Sequence, residues 1–204
     1  MKRLIILILL LLCPVLIILV GDILLIGIPE KDKKTIKAKT ANLIRNPDQV
    51  EIQPGNECGA YSSAYVRRFW GDTIKGKDLY QTMPTMYNGG ILPKHLKGSL
   101  RQNGFDVTYR KGSIQSLKQQ IDLGQPVIVL TRTFENRRYL HYTTIVGYDP
   151  DYLYISDSFH PLINSPHKYY NRKISYEDFQ KIWKTNFFYM PFYKNTFFTI
   201  KKAD

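Results

Sequence analysis

Cysteine is almost missing from this chain: of 204 residues, only Cys13 and Cys58 carry a thiol. Two are too few for a disulfide-stapled small fold or a four-cysteine zinc module, so Cys58 is expected to be a free thiol. Acidic residues are scarce as well, 17 against 29 Lys plus Arg, giving a formal charge of +12. The basic excess is spread out, with no arginine-rich run, recognition-helix pattern or zinc-finger spacing, which argues against nucleic acid as a partner. An acidic surface, either an anionic lipid headgroup or an anionic cell-wall polymer, fits that charge. Histidine occurs four times, without metal-ligand spacing, so no metal is expected. Nothing in the sequence calls for a cofactor, and there is no internal repeat.

What is present is core material, 44% hydrophobic and 13% aromatic residues, far above what a disordered chain carries. The length suits one globular domain with accessories.

The first accessory is an apolar run. Leu4 to Ile28 holds a single charge, Asp22, and follows Lys2-Arg3. Its uninterrupted part, Leu4 to Val20, is long enough as a helix, about 25 Å at 1.5 Å per residue, to reach most of the way across a bilayer. Residues 1–28 are therefore expected to be a single-pass transmembrane signal-anchor in the cell membrane. No small-residue cleavage site follows, as a removed secretory signal would need. Leu12, before Cys13, does not suit a lipoprotein anchor. The basic pair at the start favours a cytoplasmic N-terminus and an extracellular domain, against the pull of Lys31, Lys33, Lys34, Lys37 and Lys39 on the other side. Residues 29–50 read as a charged stalk, and residues 51–204 as the folded domain.

Within the domain, apolar spacing of three and four predicts a helix from Cys58 to about Gly71, after the turn Gln53-Pro54-Gly55. Short helices are expected over 76–83, 93–103 and 113–123. Strands are expected over 105–109, 126–131, 141–147 and 152–156, a capped helix from Ser175 to Trp183, and last strands in the aromatic tail 187–200. Helices first and an antiparallel sheet after them make an α+β class.

Cys58 in the first turn of a helix meets the positive end of the peptide dipoles, which favours the thiolate, the nucleophilic form. An acyl-transfer centre also needs an imidazole to move protons and a polar group to orient it. His141 and Asp157 lie on consecutive predicted strands. A three-residue connection would set Gly147 opposite Asp151 and His141 directly opposite Asp157, with Cα atoms roughly 5 Å apart. Any one-residue slip would turn Asp157 to the other face. Asp149 and Asp151 sit in the turn and read as turn-formers. Gln53, on the loop entering the helix, can donate to the oxyanion beside the Cys58 N–H. His95, His160 and His167 are expected outside the chemistry. The loop 159–170 and the turn Asn88-Gly89-Gly90 are candidates for bordering a cleft.

The order Gln53, Asn56-Glu57-Cys58-Gly59-Ala60, Gly124-Gln125-Pro126, His141-Tyr142-Thr143-Thr144, then Ile155-Ser156-Asp157 resembles the bacteriocin-processing cysteine peptidases of the papain clan, peptidase family C39, and their stand-alone relatives. The resemblance covers about residues 50–200. It implies a papain-like fold, a helical half carrying the cysteine and a sheet half carrying histidine and aspartate. It also implies a Cys58–His141–Asp157 triad, Gln53 in the oxyanion hole, and a peptide or protein substrate. The glutamine-to-cysteine gap is five where papain-like enzymes usually have six, and Ser158 stands where many relatives carry proline. No transporter domain is present, so a double-glycine leader is not the default substrate. The same triad serves a cell-wall peptide amidase or transacylase, and a papain-like domain can also be a catalytically silent binding module.

Overall fold

The computed structural model describes residues 2–25, 27–32, 37–46, 50–187 and 190–203, with the side chains of 2–9, Leu11, Asp22 and Leu25 left out. Helix α1 spans Lys2–Leu25 and has Pro14 inside it. Its C-terminal end meets the domain through Lys94, whose Nζ donates to the Leu24 carbonyl at 3.0 Å. Among the described residues no helix is long and apolar enough to cross a membrane. The longest unbroken run of described side chains in α1, 12–21, is about half of the ~20 residues a crossing takes. The spanning anchor expected over 1–28 is thus not shown, and the rest of that expectation lies outside the described residues.

The domain is one eight-stranded sheet with helices on both faces. Its strands are β1 (Glu30–Lys31), β2 (Asn42–Leu43), β3 (Phe105–Lys111), β4 (Val127–Arg132), β5 (Leu140–Tyr148), β6 (Tyr152–Ser156), β7 (Arg172–Ser175) and β8 (Thr196–Lys202). The order across the sheet is β1-β3-β8-β4-β5-β6-β7, with β2 paired to the end of β5. Among the described residues only β1 and β3 run parallel. The helices are α2 (Cys58–Phe69), α3 (Gly76–Thr82), α4 (Pro93–Gln102), α5 (Ile114–Asp122) and α6 (Tyr176–Trp183).

The alternation of strand side chains divides the core in two. Ile128, Leu130 and Phe198 pack with Ala60, Ala64, Leu96 and Leu100 on the side of α2 and α4. Val127, Val129 and Phe197 pack with Leu117, Ile121, Phe179 and Trp183 on the side of α5 and α6. Cover on both faces is why β4 reads as an unbroken apolar run. The caps are local: Ser113 Oγ accepts from Ser116 N at the start of α5, and Ser175 Oγ accepts from Asp178 N at the start of α6.

Three features depart from the sequence reading. The segment 29–50, expected to be a stalk, contributes β1 and β2 and buries Ile44 and Asn46. Strand β7 follows a loop rich in turn residues, where no strand was expected. The aromatic tail forms one strand, β8, lying between β3 and β4, preceded by a short 3-10 turn at Pro191–Tyr193.

Candidate active site

The hairpin β5–β6 carries the second half of the expected triad, and its register differs from the expectation. Asp149 N donates to the Tyr152 carbonyl at 3.0 Å, closing a tight turn over Pro150-Asp151, so Gly147 pairs with Tyr154 and not with Asp151. Asp149 Oδ1 accepts from Asp151 N and Tyr152 N, the turn-forming role read from the sequence. Left alone, that register would put Asp157 across from Thr144, on the face away from His141. One extra residue on β5, Val146, shifts the pairing between Ile145 and Gly147. Beyond this bulge Thr144 faces Ser156, so the next step brings Asp157 alongside Thr143, on His141's side of the strand. Asp157 therefore reaches His141 diagonally, and the three-residue turn with a direct 141–157 pair is corrected. The bulge is held from outside by the residue that follows β2: Ile44 N donates to the Val146 carbonyl at 2.8 Å. Glycine is required at 147, because a Cβ there would stand 2.9 Å from the Asn42 carbonyl and 2.8 Å from Leu43 Cδ1.

The outcome is a short hydrogen bond, His141 Nε2 to Asp157 Oδ1 at 2.7 Å, with both side chains buried. Asp157 is fully enclosed and all its polar atoms are engaged. Oδ1 also accepts from Phe159 N at 3.0 Å, and Oδ2 accepts from Arg172 Nη1 at 2.8 Å. The Asn171 side chain clamps the backbone, its Oδ1 accepting from Asp157 N and its Nδ2 donating to the Asp157 carbonyl, each at 2.8 Å. Arg172, the first residue of β7, and Asn171 just before it were not found by sequence reasoning; nothing in a short basic-and-polar stretch marks them.

Cys58 is the first residue of α2 and is buried. As the first helical residue its N–H has no partner within the helix. Gly59 lets that end of α2 approach β5, since a Cβ there would meet Tyr142 and Ile91 at 3.1 to 3.2 Å. Against burial, Asp157 and Cys58 both act to raise the His141 pKa, and with Nε2 taken by Asp157 Nδ1 is the ring nitrogen that remains. Gln53 N donates to the Ser158 carbonyl, and Gln53 Oε1 accepts from Ser158 Oγ at 2.6 Å. Its Nε2 donates to the Gly55 carbonyl, and an amide NH2 keeps a second hydrogen for another acceptor.

The electrostatics follow from the geometry. Burial works against a charge on His141, yet the Asp157 carboxylate and the Cys58 side chain outweigh it and push the imidazole up to about 10. Burial likewise works against the Asp157 carboxylate, and His141 and Arg172 overcome it, holding the group down at about 2.

Cys58, His141 and Gln53 line one cavity of about 700 Å3. Phe159, Asn88 and Gly90, from the two loops named as candidates, border it too. His95 is bonded to the Pro84 carbonyl and His167 is stacked on Tyr170, while His160 opens a 3-10 turn. Among the described residues no group of three or more His, Cys, Asp or Glu is placed to hold a metal ion.

Comparison with known proteins gives a consistent result. The model of the Peptidase_C39 like family matches residues 39–189. No curated protein matches. Among solved structures, a C39-like peptidase from Bacillus anthracis is similar with a TM-score of 0.61 at 16% identity, covering 81% of this chain and 100% of that one. The peptidase domain of Streptococcus ComA, a bi-functional ABC transporter, gives 0.60 at 18% identity, covering 78% and 100%. The Carica candamarcensis cysteine protease CMS1MS2 gives 0.53 at 15% identity, covering 81% and 100%. At these identities the structures establish the fold, papain-like and α+β.

Proposed function

The chain belongs to the Peptidase_C39 like family of cysteine peptidases, and from that premise we propose that it hydrolyses peptide bonds with Cys58 as nucleophile, His141 as proton carrier, Asp157 as orienting group and Gln53 as oxyanion donor. The observation that carries these roles is the bond between His141 Nε2 and Asp157 Oδ1, which leaves the other ring nitrogen for the Cys58 sulfur. The Asp157 carboxylate favours the protonated imidazole of His141, and an imidazolium beside the sulfur is the partner a thiolate needs. The thiolate attacks the carbonyl carbon of the scissile bond. The oxyanion is met by the Cys58 N–H and the free hydrogen of the Gln53 amide. His141 gives its proton to the departing amine as the C–N bond breaks, leaving a thioester. Neutral His141 then takes a proton from water, whose oxygen attacks the thioester. Cleavage of the C–S bond releases the acid and restores thiolate and imidazolium.

An N-terminal membrane anchor with the peptidase domain outside the cell belongs to the same reading. It is supported by the apolar run Leu4 to Val20 behind Lys2-Arg3 and by the exposed side chains of Leu10, Leu16 and Ile17 on α1. Membrane fractionation and protease accessibility of intact cells test it; recovery of the full chain in the soluble fraction refutes it.

The catalytic roles are tested by labelling the folded full chain with an electrophilic epoxide and by turnover of a peptide library alongside peptidoglycan. The expected result is one adduct on Cys58 and cleavage of peptides, both absent in Cys58→Ala and strongly slowed in His141→Ala. Labelling that does not depend on Cys58 refutes the roles, and cleavage confined to peptidoglycan moves the substrate to cell-wall peptides.

A further inference from the structure

We propose that the cleft selects peptides bearing a carboxylate, seated by Arg137 and Arg138 beside an apolar side chain of the substrate; this rests on the peptidase reading above and names the substrate class of that site. Much of the cavity wall is apolar. Met86, Ile91 and Pro93 come from the helical half, and Leu130, Phe134 and Tyr142 from the sheet half. Its charge is one-sided. Among the described residues, Arg137 and Arg138 line it together with His141, whose charged form the Asp157 carboxylate favours, and no Asp or Glu does. The neighbouring carboxylates are turned away or already occupied. Asp157 is enclosed behind His141 and bound to Arg172, and Glu57 accepts from Gly55 N at 2.7 Å. Glu135, on the same loop as the arginines, is exposed and does not border the cavity.

The loop that carries the two arginines, between β4 and β5, is closed on itself. Thr133 N and Oγ1 both donate to the Tyr139 carbonyl, Arg137 N donates to the Phe134 carbonyl, and Arg132 Nη1 donates to the Glu135 carbonyl at 2.9 Å. Arg132 is further tied to the Lys184 carbonyl through Nε and Nη2. Of the three arginines on this hairpin, Arg132 is thus used to fix the loop, while the other two stand at the cleft. Arg138 lies 5.9 Å over the Phe187 ring. Among the described residues no carboxylate forms an ion pair with Arg137 or Arg138. Two guanidiniums without an acidic partner among the described residues, at the edge of a partly apolar cleft, are bidentate donors for a planar carboxylate. Cationic substrate side chains are disfavoured there by the same charges.

The test uses peptide pairs identical except for Glu or Gln, placed in turn at each position around an apolar residue, each with a free or an amidated C-terminus. For the wild-type full chain the Glu peptide is expected to exceed its Gln twin by about tenfold in kcat/KM at one position, chiefly through KM and less so with added salt. The ratio should fall toward one in Arg137→Gln/Arg138→Gln and be largely kept in Arg137→Lys/Arg138→Lys. A preference lost on amidation assigns the carboxylate to the chain end; one that survives assigns it to the side chain, and either supports the subsite. Equal cleavage of all twins by wild type, or a ratio unchanged in the double Gln variant, overturns it. Anisotropy titration of the same peptides against Cys58→Ala reads the subsite without turnover. Absence of any Cys58-dependent turnover therefore overturns the peptidase reading alone, whereas turnover or binding without charge preference overturns only the carboxylate subsite.

Discussion

Arg172 is the residue whose removal tests the electrostatic account most directly. Asp157 has no solvent contact, and its Oδ2 accepts the Arg172 Nη1 donor at 2.8 Å while Oδ1 is shared by His141 and Phe159 N. Arg172→Met keeps much of the side-chain volume and removes the charge and the donor. Burial, which works to raise the Asp157 pKa, is then opposed by His141 and one backbone N–H alone. Breaking a buried ion pair from one side costs about 3–5 kcal/mol, so urea melts at neutral pH should show a loss of that size. The pH dependence carries a sign. Asp157 is depressed to about 2, so its contribution is complete above the unfolded carboxylate range and is lost as pH falls through about 2. In Arg172→Met the folded pKa rises, and that loss must begin at higher pH. The catalytic readout is a fall in kcat with little change in KM, because the arginine positions the carboxylate that positions the imidazole and touches no substrate. A stability loss under about 1 kcal/mol with an unmoved acid limb would mean that solvent reaches Asp157 and the buried-pair reasoning fails.

Three other outcomes follow from the geometry. Gly147→Ala drives a methyl against the Asn42 carbonyl and Leu43; it should cost about 1–3 kcal/mol and lower kcat by disturbing the bulge that aims Asp157, whereas a variant of wild-type stability and activity refutes the role given to the bulge. His141, held up to about 10 by Asp157, contributes stability that is complete below its unfolded pKa near 6.5 and is lost as pH rises through about 10. The alkaline limb of kcat/KM should accordingly lie well above 6.5, and a limb near the ordinary histidine value contradicts the ion pair. Gln53→Ala should reduce kcat by about 10²-fold or more if its amide meets the oxyanion. Ser158→Ala, which frees Gln53 Oε1, should reduce it by less, and equal, negligible effects would remove Gln53 from the oxyanion hole.

Chemistry-bearing residues and local elements were legible in the sequence to different depths. A cysteine at a helix start is a local pattern, set by the turn at 53–55 and the spacing of Ala60, Ala64 and Tyr65, and α2 begins at Cys58. Strand β4 and the Ser175 cap are equally local, because run length, β-branching and a hydroxyl three residues from a backbone N–H are read within a few residues. Strand β7 was hidden because its four residues have no apolar period of their own and are ordered by pairing with β6. The strands at Glu30–Lys31 and Asn42–Leu43 were hidden for the same reason, being extended only where β3 and β5 offer an edge.

The sequence by itself determined that a thiol, an imidazole and a carboxylate stand at the ends of elements that can meet, and that the family pattern runs through them. Only the tertiary structure decided how they meet. Parity along β5 and β6 is set by a turn and a bulge far from the site, and the bulge is held by a residue from the segment read as a stalk. Of the residues that hold Asp157, Arg172 opens a strand that exists only by pairing and Asn171 stands just before it. Side chains brought together by long-range pairing leave no periodic trace in the chain, because their spacing reflects loop lengths and not the repeat of a helix or a strand.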